Sequence, residues 1–356
     1  MKRWLAFITM TAAVAALAAG CENQAARAPL TPAEGDDTPY EVLTEALRSP
    51  QPQVQALAAE TFLVADRRPP LGAVEALVDV PDPRVRTTAV ALLGTTRRPQ
   101  LTELFLRKDR DAEGPVRLAA AFGLAMAGNP SRVTALRDAL ASPVPSMRRT
   151  AAWLIGLMGN PTAVGLLRVK LDDLDAVCVL RVAEAIHRLG SNEGLERVRT
   201  LTGHDRHMVR AFAARLLGHM GTTADIPRLE KLCQSRYLDV KYAAMAALAA
   251  RGDLKRIGML QDLAEAPDAQ SRVLAMTELG ESGYTPAIER LARFLKSDIP
   301  LERAAAAAAI VRLRSAKGSW RDQILMEPPP APPQTPSAPP PAPLPGTVAP
   351  GPLTPR

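Results

Sequence analysis

Aromatic side chains are scarce, only 4% of 356 residues, and the chain has four histidines and three cysteines. So few cysteines exclude a disulfide-stapled scaffold, and cysteine and histidine together fall short of a zinc framework. H-E-x-x-H, a phosphate loop and a dinucleotide-binding glycine fingerprint are all missing. Gly280-Glu281-Ser282-Gly283 lacks the spacing of a nucleophile elbow. His204-Asp205-Arg206-His207 is the one close histidine pair. Even with His219 it has no carboxylate or cysteine framework at ligand spacing, so it reads as a solvated loop. No metal and no cofactor are expected. Strong charge of one sign is also lacking: 44 basic against 37 acidic residues leave +7, which does not call for nucleic acid.

What is abundant is alanine, leucine, valine and arginine, the composition of stacked helices with small residues at their contacts. A phrase recurs: MRRTAAWLIGLMG at 147–159 and VRAFAARLLGHMG at 209–221. One constant step, that from Val54 to Val85, gives nine starts without an insertion: Val54, Val85, Val116, Met147, Cys178, Val209, Val240, Ser271 and Glu302. Four and eight positions on stand apolar side chains of the same helical face, for example Ala151 with Ile155 and Ala213 with Leu217. Twelve positions on is glycine in six copies (Gly128, Gly159, Gly190, Gly221, Gly252, Gly283), as a left-handed helix cap requires. A second apolar mark, twenty positions on, runs from Val74 to Leu291 and belongs to a shorter helix. Each unit is then a pair of antiparallel helices that buries its apolar face only by stacking on its neighbours.

The pattern V-R-x-x-A-A-x-x-L-G-x-x-G resembles the short HEAT-like repeat of the phycobilisome-lyase type. The resemblance covers residues 38–315. It implies an all-α solenoid, a right-handed superhelix of about nine two-helix units. Thr38-Pro39-Tyr40-Glu41 reads as a capping box opening the first helix. Ser319 to Met326, with Trp320 and Leu325, reads as a half-repeat closing the last core of an open spiral.

The ends stand outside the repeats. MKRWLAFITMTAAVAALAAGC has two basic residues, an apolar stretch and small residues, the form of a secretory signal. Its last four letters resemble the bacterial lipobox, departing from it at Ala18. That implies signal peptide 1–20, diacylation (palmitate-type chains) of Cys21, and a flexible tether over 21–37. The address implied is the cell envelope, on the periplasmic side of the outer membrane. The solenoid fills 38–326. Residues 327–356 carry 14 of the 33 prolines and cannot form helix or sheet. They read either as a disordered spacer or as a ligand for a proline-binding groove.

The residue after each start is basic in seven units: Arg86, Arg117, Arg148, Arg210, Lys241, Arg272 and Arg303. This ladder is expected to be structural. Asp82, Glu113, Asp175, Asp205, Asp239, Asp268 and Asp298, just before the starts, are its expected partners. Cys178 and Cys233 are expected as separate buried thiols, two units apart and too distant to bridge.

Positions two, six and ten of each unit are expected on the concave face. They place an apolar stretch (Phe122, Met126, Trp153, Leu157, with Arg149) beside a charged one (Glu184, Arg188, Arg215, His219), followed by Tyr242. Phe122 and Trp153 are either exposed there as partner anchors or buried between units. The function expected is a monomeric, membrane-anchored scaffold or adaptor, not an enzyme, holding a protein partner in its concave groove. A carrier of a hydrophobic ligand, or a lyase-like enzyme using the same groove, is the alternative.

Overall fold

The computed structural model describes residues 37–315 apart from residue 66. Helix α1 (Thr38–Ala46) is followed by α2 (Pro52–Phe62), and thereafter short and long helices alternate. The pairs are α3 (Leu71–Glu75) with α4 (Pro83–Thr95), α5 (Thr102–Lys108) with α6 (Gly114–Met126), and α7 (Val133–Leu140) with α8 (Pro145–Met158). Then come α9 (Val164–Arg168) with α10 (Ala176–Arg188), α11 (Leu195–Leu201) with α12 (His207–Met220), and α13 (Ile226–Leu232) with α14 (Leu238–Ala249). The last are α15 (Leu254–Leu263) with α16 (Ala269–Glu281) and α17 (Ala287–Ala292) with α18 (Pro300–Arg314). Among the described residues there is no strand. An all-helical solenoid of nine two-helix units is therefore what the described residues build.

The periodic marks form the core. Ala58, Ala89, Ala120, Ala151, Val182, Ala213, Ala244, Ala275 and Ala306 are all fully buried, and so are the short-helix marks from Val74 to Leu291. Five of the six cap glycines have positive φ, between 70° and 112°. Gly221 does not. It is extended, and the guanidinium of Arg251, from the next unit, caps α12 by donating to the carbonyls of Leu217 and Gly218. Conversely Arg97 occupies the glycine place of its own unit at φ 53°.

The array closes on itself. α18 packs against α16 on one side and against α1 and α2 on the other. Ala304 to Ala309 are consequently buried on every face of α18. Leu43 of α1, fully buried, precedes Val74 by the same interval that separates Val74 from Phe105, so α1 is a short helix displaced to the front of the chain. Docked on α18, it covers the end of the array that a further unit would otherwise cover. This corrects the expected open spiral. The expected closing piece, Ser319 to Met326, lies outside the described residues. The expected capping box also shifts: α1 is preceded by Asp37 in the cap place, and the Asp37 side chain pairs with Arg67.

The long helices approach in couples. Gly94, Gly156, Gly218 and Gly280 recur in every second unit and face Gly123, Ala185, Ala247 and Ala309. A Cβ on Gly156 would meet the Ala185 Cβ at 2.8 Å, and one on Gly280 the Ala309 Cα at 2.8 Å, so backbone contact there demands glycine. The couples α4·α6, α8·α10, α12·α14 and α16·α18 are the intimate contacts, and the joints between couples are looser.

Candidate functional site

The ladder arginines are structural, but their partners differ from those expected. Arg148 donates to the carbonyls of Ser142 and Pro143 before its own helix and reaches both carboxylate oxygens of Asp173 at 2.7 Å. Arg86 does the same with Val80, Pro81 and Asp111, and Arg272 donates to the carbonyls of Ala266 and Pro267 and to Oε1 of Glu302. Arg117, Arg210 and Arg303 keep carbonyl contacts of this kind, and Arg303 also reaches Glu45 across the ring closure at 3.9 Å. For Lys241 the structure gives no such contact. The acids close before the starts have other work. Asp82, Asp175 and Asp268 cap the long helices, accepting from backbone amides at 2.7–2.8 Å. Cys178 and Cys233 are free and buried, and burial pushes the Cys178 thiol up to about 11.

The expected apolar half of the concave site is not a surface. Phe122, Met126, Leu157 and Tyr242 are buried in the core, and Trp153 is half-buried against it. Phe122 fills the space over Gly94, so its ring is committed to the α4·α6 contact. This corrects their assignment as partner-binding residues. Arg149 ties unit four to unit five by pairing with Asp175.

The charged half lies inside the curve of the ring, where helices two units apart meet. Arg215 on α12 spans across α14 to Glu278 on α16, with Nε and Nη2 at 2.7 and 2.6 Å from Oε1. It can do so because the intervening face of α14 is only Ala243, Ala246 and Ala247. His219 Nε2 reaches Glu281 Oε2 at 3.2 Å, and Arg312 on α18 reaches Glu281 Oε1 at 3.3 Å. Glu184 accepts from Arg181 at 2.9 Å and Arg188 at 3.4 Å. The structure thus brings Glu184, Arg188, Arg215 and His219 together, with Glu278, Glu281, Arg181 and Arg312, which the sequence analysis missed.

Environment sorts these groups. Burial drives the Glu278 carboxyl upward, more than the Arg215 guanidinium beside it offsets. Glu281 is exposed to the same burial, yet His219 and Arg312 hold it down at about 2. His219 is raised by Glu281 and Glu184 against the desolvation that opposes its charge. Together with Arg215, these three groups line a cavity of about 10 Å³ between α12, α14 and α16.

The edge of the ring at the N-terminal ends of the long helices differs. Val144, Leu174, Met208 and Leu238 stand exposed there in consecutive units four to seven, Leu174 completely. The rings of His207 and Tyr237 stack 4.5 Å apart and within 2° of parallel, with Arg236 over Tyr237 at 4.8 Å. His207 Nδ1 is 2.7 Å from Asp239. The His204–His207 segment is thus a fastening between units six and seven. Among the described residues no group of three or more His, Cys, Asp or Glu could hold a metal ion.

Comparison with known proteins agrees with the repeat. A family model described as HEAT repeats matches residues 99–178 and 168–249. A curated relative, the phycocyanobilin lyase subunit alpha of Picosynechococcus sp., is 27% identical over 160 residues, 41% of this chain. The matched part spans 60% of that relative's length. Among solved structures, the complex of CpcE and CpcF of phycocyanin lyase from Nostoc sp. aligns at 20% identity and TM-score 0.33. That alignment covers 73% of this chain and 93% of the other. Human deoxyhypusine hydroxylase aligns at 15% identity and TM-score 0.35, over 78% and 97%. The expectation that the chain is not an enzyme is corrected by the curated relative, which is a subunit of a lyase.

Proposed function

We propose that this HEAT-repeat protein, related to phycocyanobilin lyase subunits, is a lyase-like subunit that works together with a protein partner docked on the N-terminal edge of units four to seven. One observation carries the reading. Val144, Leu174, Met208 and Leu238 form a run of exposed apolar side chains in four successive units, beside the His207–Tyr237 stack and Arg236. A ring that buries alanine so thoroughly elsewhere leaves these large groups in water, and aromatic and arginine anchors amid apolar contacts are the make-up of interface hot spots. The run lies within the segment matched as HEAT repeats. Phe122, Met126 and Leu157 are core side chains, which removes the apolar wall that a carrier of a hydrophobic ligand needs.

The proposed setting is the cell envelope, with Cys21 acylated and holding the ring at a membrane. Incorporation of labelled palmitate, lost in Cys21→Ser, tests the address. For the docking edge, a photo-crosslinker at position 238 should capture a defined protein, and one at position 192, in the turn beyond the opposite ends of the long helices, should not. Leu174→Asp with Met208→Asp should abolish the capture. Capture of the same proteins from both positions overturns the docking edge. The lyase-like part is tested by mixing chain and captured partner with phycocyanobilin and following its absorbance. An unchanged spectrum overturns that part.

A further inference from the structure

In the two-unit rhythm of the coupled helices, one position faces the next joint of the ring and is filled by Leu92, Leu154 and Leu216. All three are buried. The fourth member of the series is Glu278, also fully enclosed. A carboxyl group in a leucine site costs stability unless it is satisfied. It is only half satisfied: Oε1 takes both contacts from Arg215, and Oε2 has no partner among the described residues. The cavity beside it is lined by Arg215, His219, Glu278, Glu281 and the alanine face of α14. At about 10 Å³ it admits one oxygen-sized group. It is not sealed, since the His219 side chain keeps 45% of its surface and Arg215 33%.

The local charge selects what enters. The guanidiniums of Arg181, Arg188, Arg215 and Arg312 outnumber the carboxyl groups of Glu184, Glu278 and Glu281, and the oxygens of Glu184 and Glu281 are already engaged by Arg181, Arg188, Arg312 and His219. The unused capacity consists of hydrogen-bond donors. Burial favours the neutral form of the Glu278 carboxyl, and a proton on Oε2, which has no partner among the described residues, would add a further donor.

The geometry points to a carboxylate-binding site on the last turns of α10, α12, α16 and α18, in which one ligand oxygen enters between Arg215, His219 and Glu278 and the second stays at the mouth. The ligand is a free carboxylic acid or the C-terminal carboxylate of a peptide. The site faces away from the proposed docking edge and does not depend on it.

The full chain, with labelled histidine, is titrated with propionate and separately with trialanine, using propionamide and amidated trialanine as uncharged controls. The ring signals of His219 report, identified by their loss in His219→Gln. Saturable movement with at least one acid and with neither amide is expected, and which acid binds tells a small ligand from a chain end. Arg215→Gln should weaken binding roughly tenfold or more. Glu278→Leu restores the residue of the sister positions, so it should fold and lose the binding. Absence of saturable movement with both acids, equal binding of the amides, or undiminished binding by folded Glu278→Leu overturns the proposal.

Discussion

Replacing Glu278 by leucine should make the protein more stable. In the wild type a fully enclosed carboxyl sits where Leu92, Leu154 and Leu216 sit in its sister couples. It leaves one oxygen unpaired, and its partner on the other oxygen, Arg215, keeps a third of its own surface in water. Arg215 can turn outward when the pair is removed, so the usual penalty for stranding a buried charge is small here. Exchange of a buried ionic pair for a packed apolar side chain is worth about 1–4 kcal/mol. For a folded body of about 280 residues that melts as one unit, this converts to a rise in Tm of about 2–7 °C. The effect also has a sign in pH. The Glu278 carboxyl is raised in the folded state, so the wild type is not penalised below the unfolded value of 4.5, where the group is neutral in both states. The penalty grows as pH climbs through the folded value. The gap in Tm between variant and wild type should therefore widen from acid toward neutral pH, as measured by calorimetry at a series of pH values. A variant that melts lower at every pH, or a gap that narrows as pH rises, refutes the reasoning.

Ring closure is tested at its joint. Leu43→Ala should cost about 2.7–5 kcal/mol, and hydrogen exchange should speed up in α18 as well as in α1 and α2. An α18 left protected means the ends do not meet. Arg148→Ala should cost about 1.5–3 kcal/mol by denaturant unfolding, because it removes a bidentate pair and two carbonyl contacts. Lys241→Ala at the equivalent place should stay within about 0.5 kcal/mol. His219 has a raised value and faces Glu184, Glu278 and Glu281 with Arg215 nearby, so its stabilising contribution is complete below 6.5 and fades as pH rises through the folded value. Glu281, lowered to about 2, contributes above 4.5 and loses its contribution as pH falls. His219→Gln should accordingly be most destabilised relative to wild type between about pH 4.5 and 6.5, with convergence on both sides.

The helices were legible because their period is written in side chains that must be buried: Ala151 with Ile155, Ala213 with Leu217, and a short-helix leucine such as Leu229. Curvature was not legible from that period. It depends on how near adjacent long helices come, which is set by Gly94, Gly156, Gly218 and Gly280 against Gly123, Ala185, Ala247 and Ala309. Those glycines repeat only in every second unit, so a comparison made one unit at a time averages them away. The same averaging turned the rotation of the concave face. Positions two, six and ten read as one free face, yet in a closed ring of intimate couples Phe122 falls into the contact between partners and Leu157 is buried.

The charged residues escaped that error for a physical reason. Glu184, Arg188, Arg215 and His219 have long or polar ends that need partners, and the side of the ring where helices two units apart converge is where such ends can find them. The apolar residues at equivalent positions gain by turning into the core. Their opposite fates follow from one geometry. The residue that organises the cluster, Glu278, could have been found from letters alone, as the break in the series Leu92, Leu154, Leu216. A repeat protein can fill such a place with leucine without changing its fold, so a buried acid there is a sacrifice of stability that only binding or chemistry at the site repays. Deviation from the repeat, more than the repeat itself, is therefore where the chemistry of a solenoid is to be read.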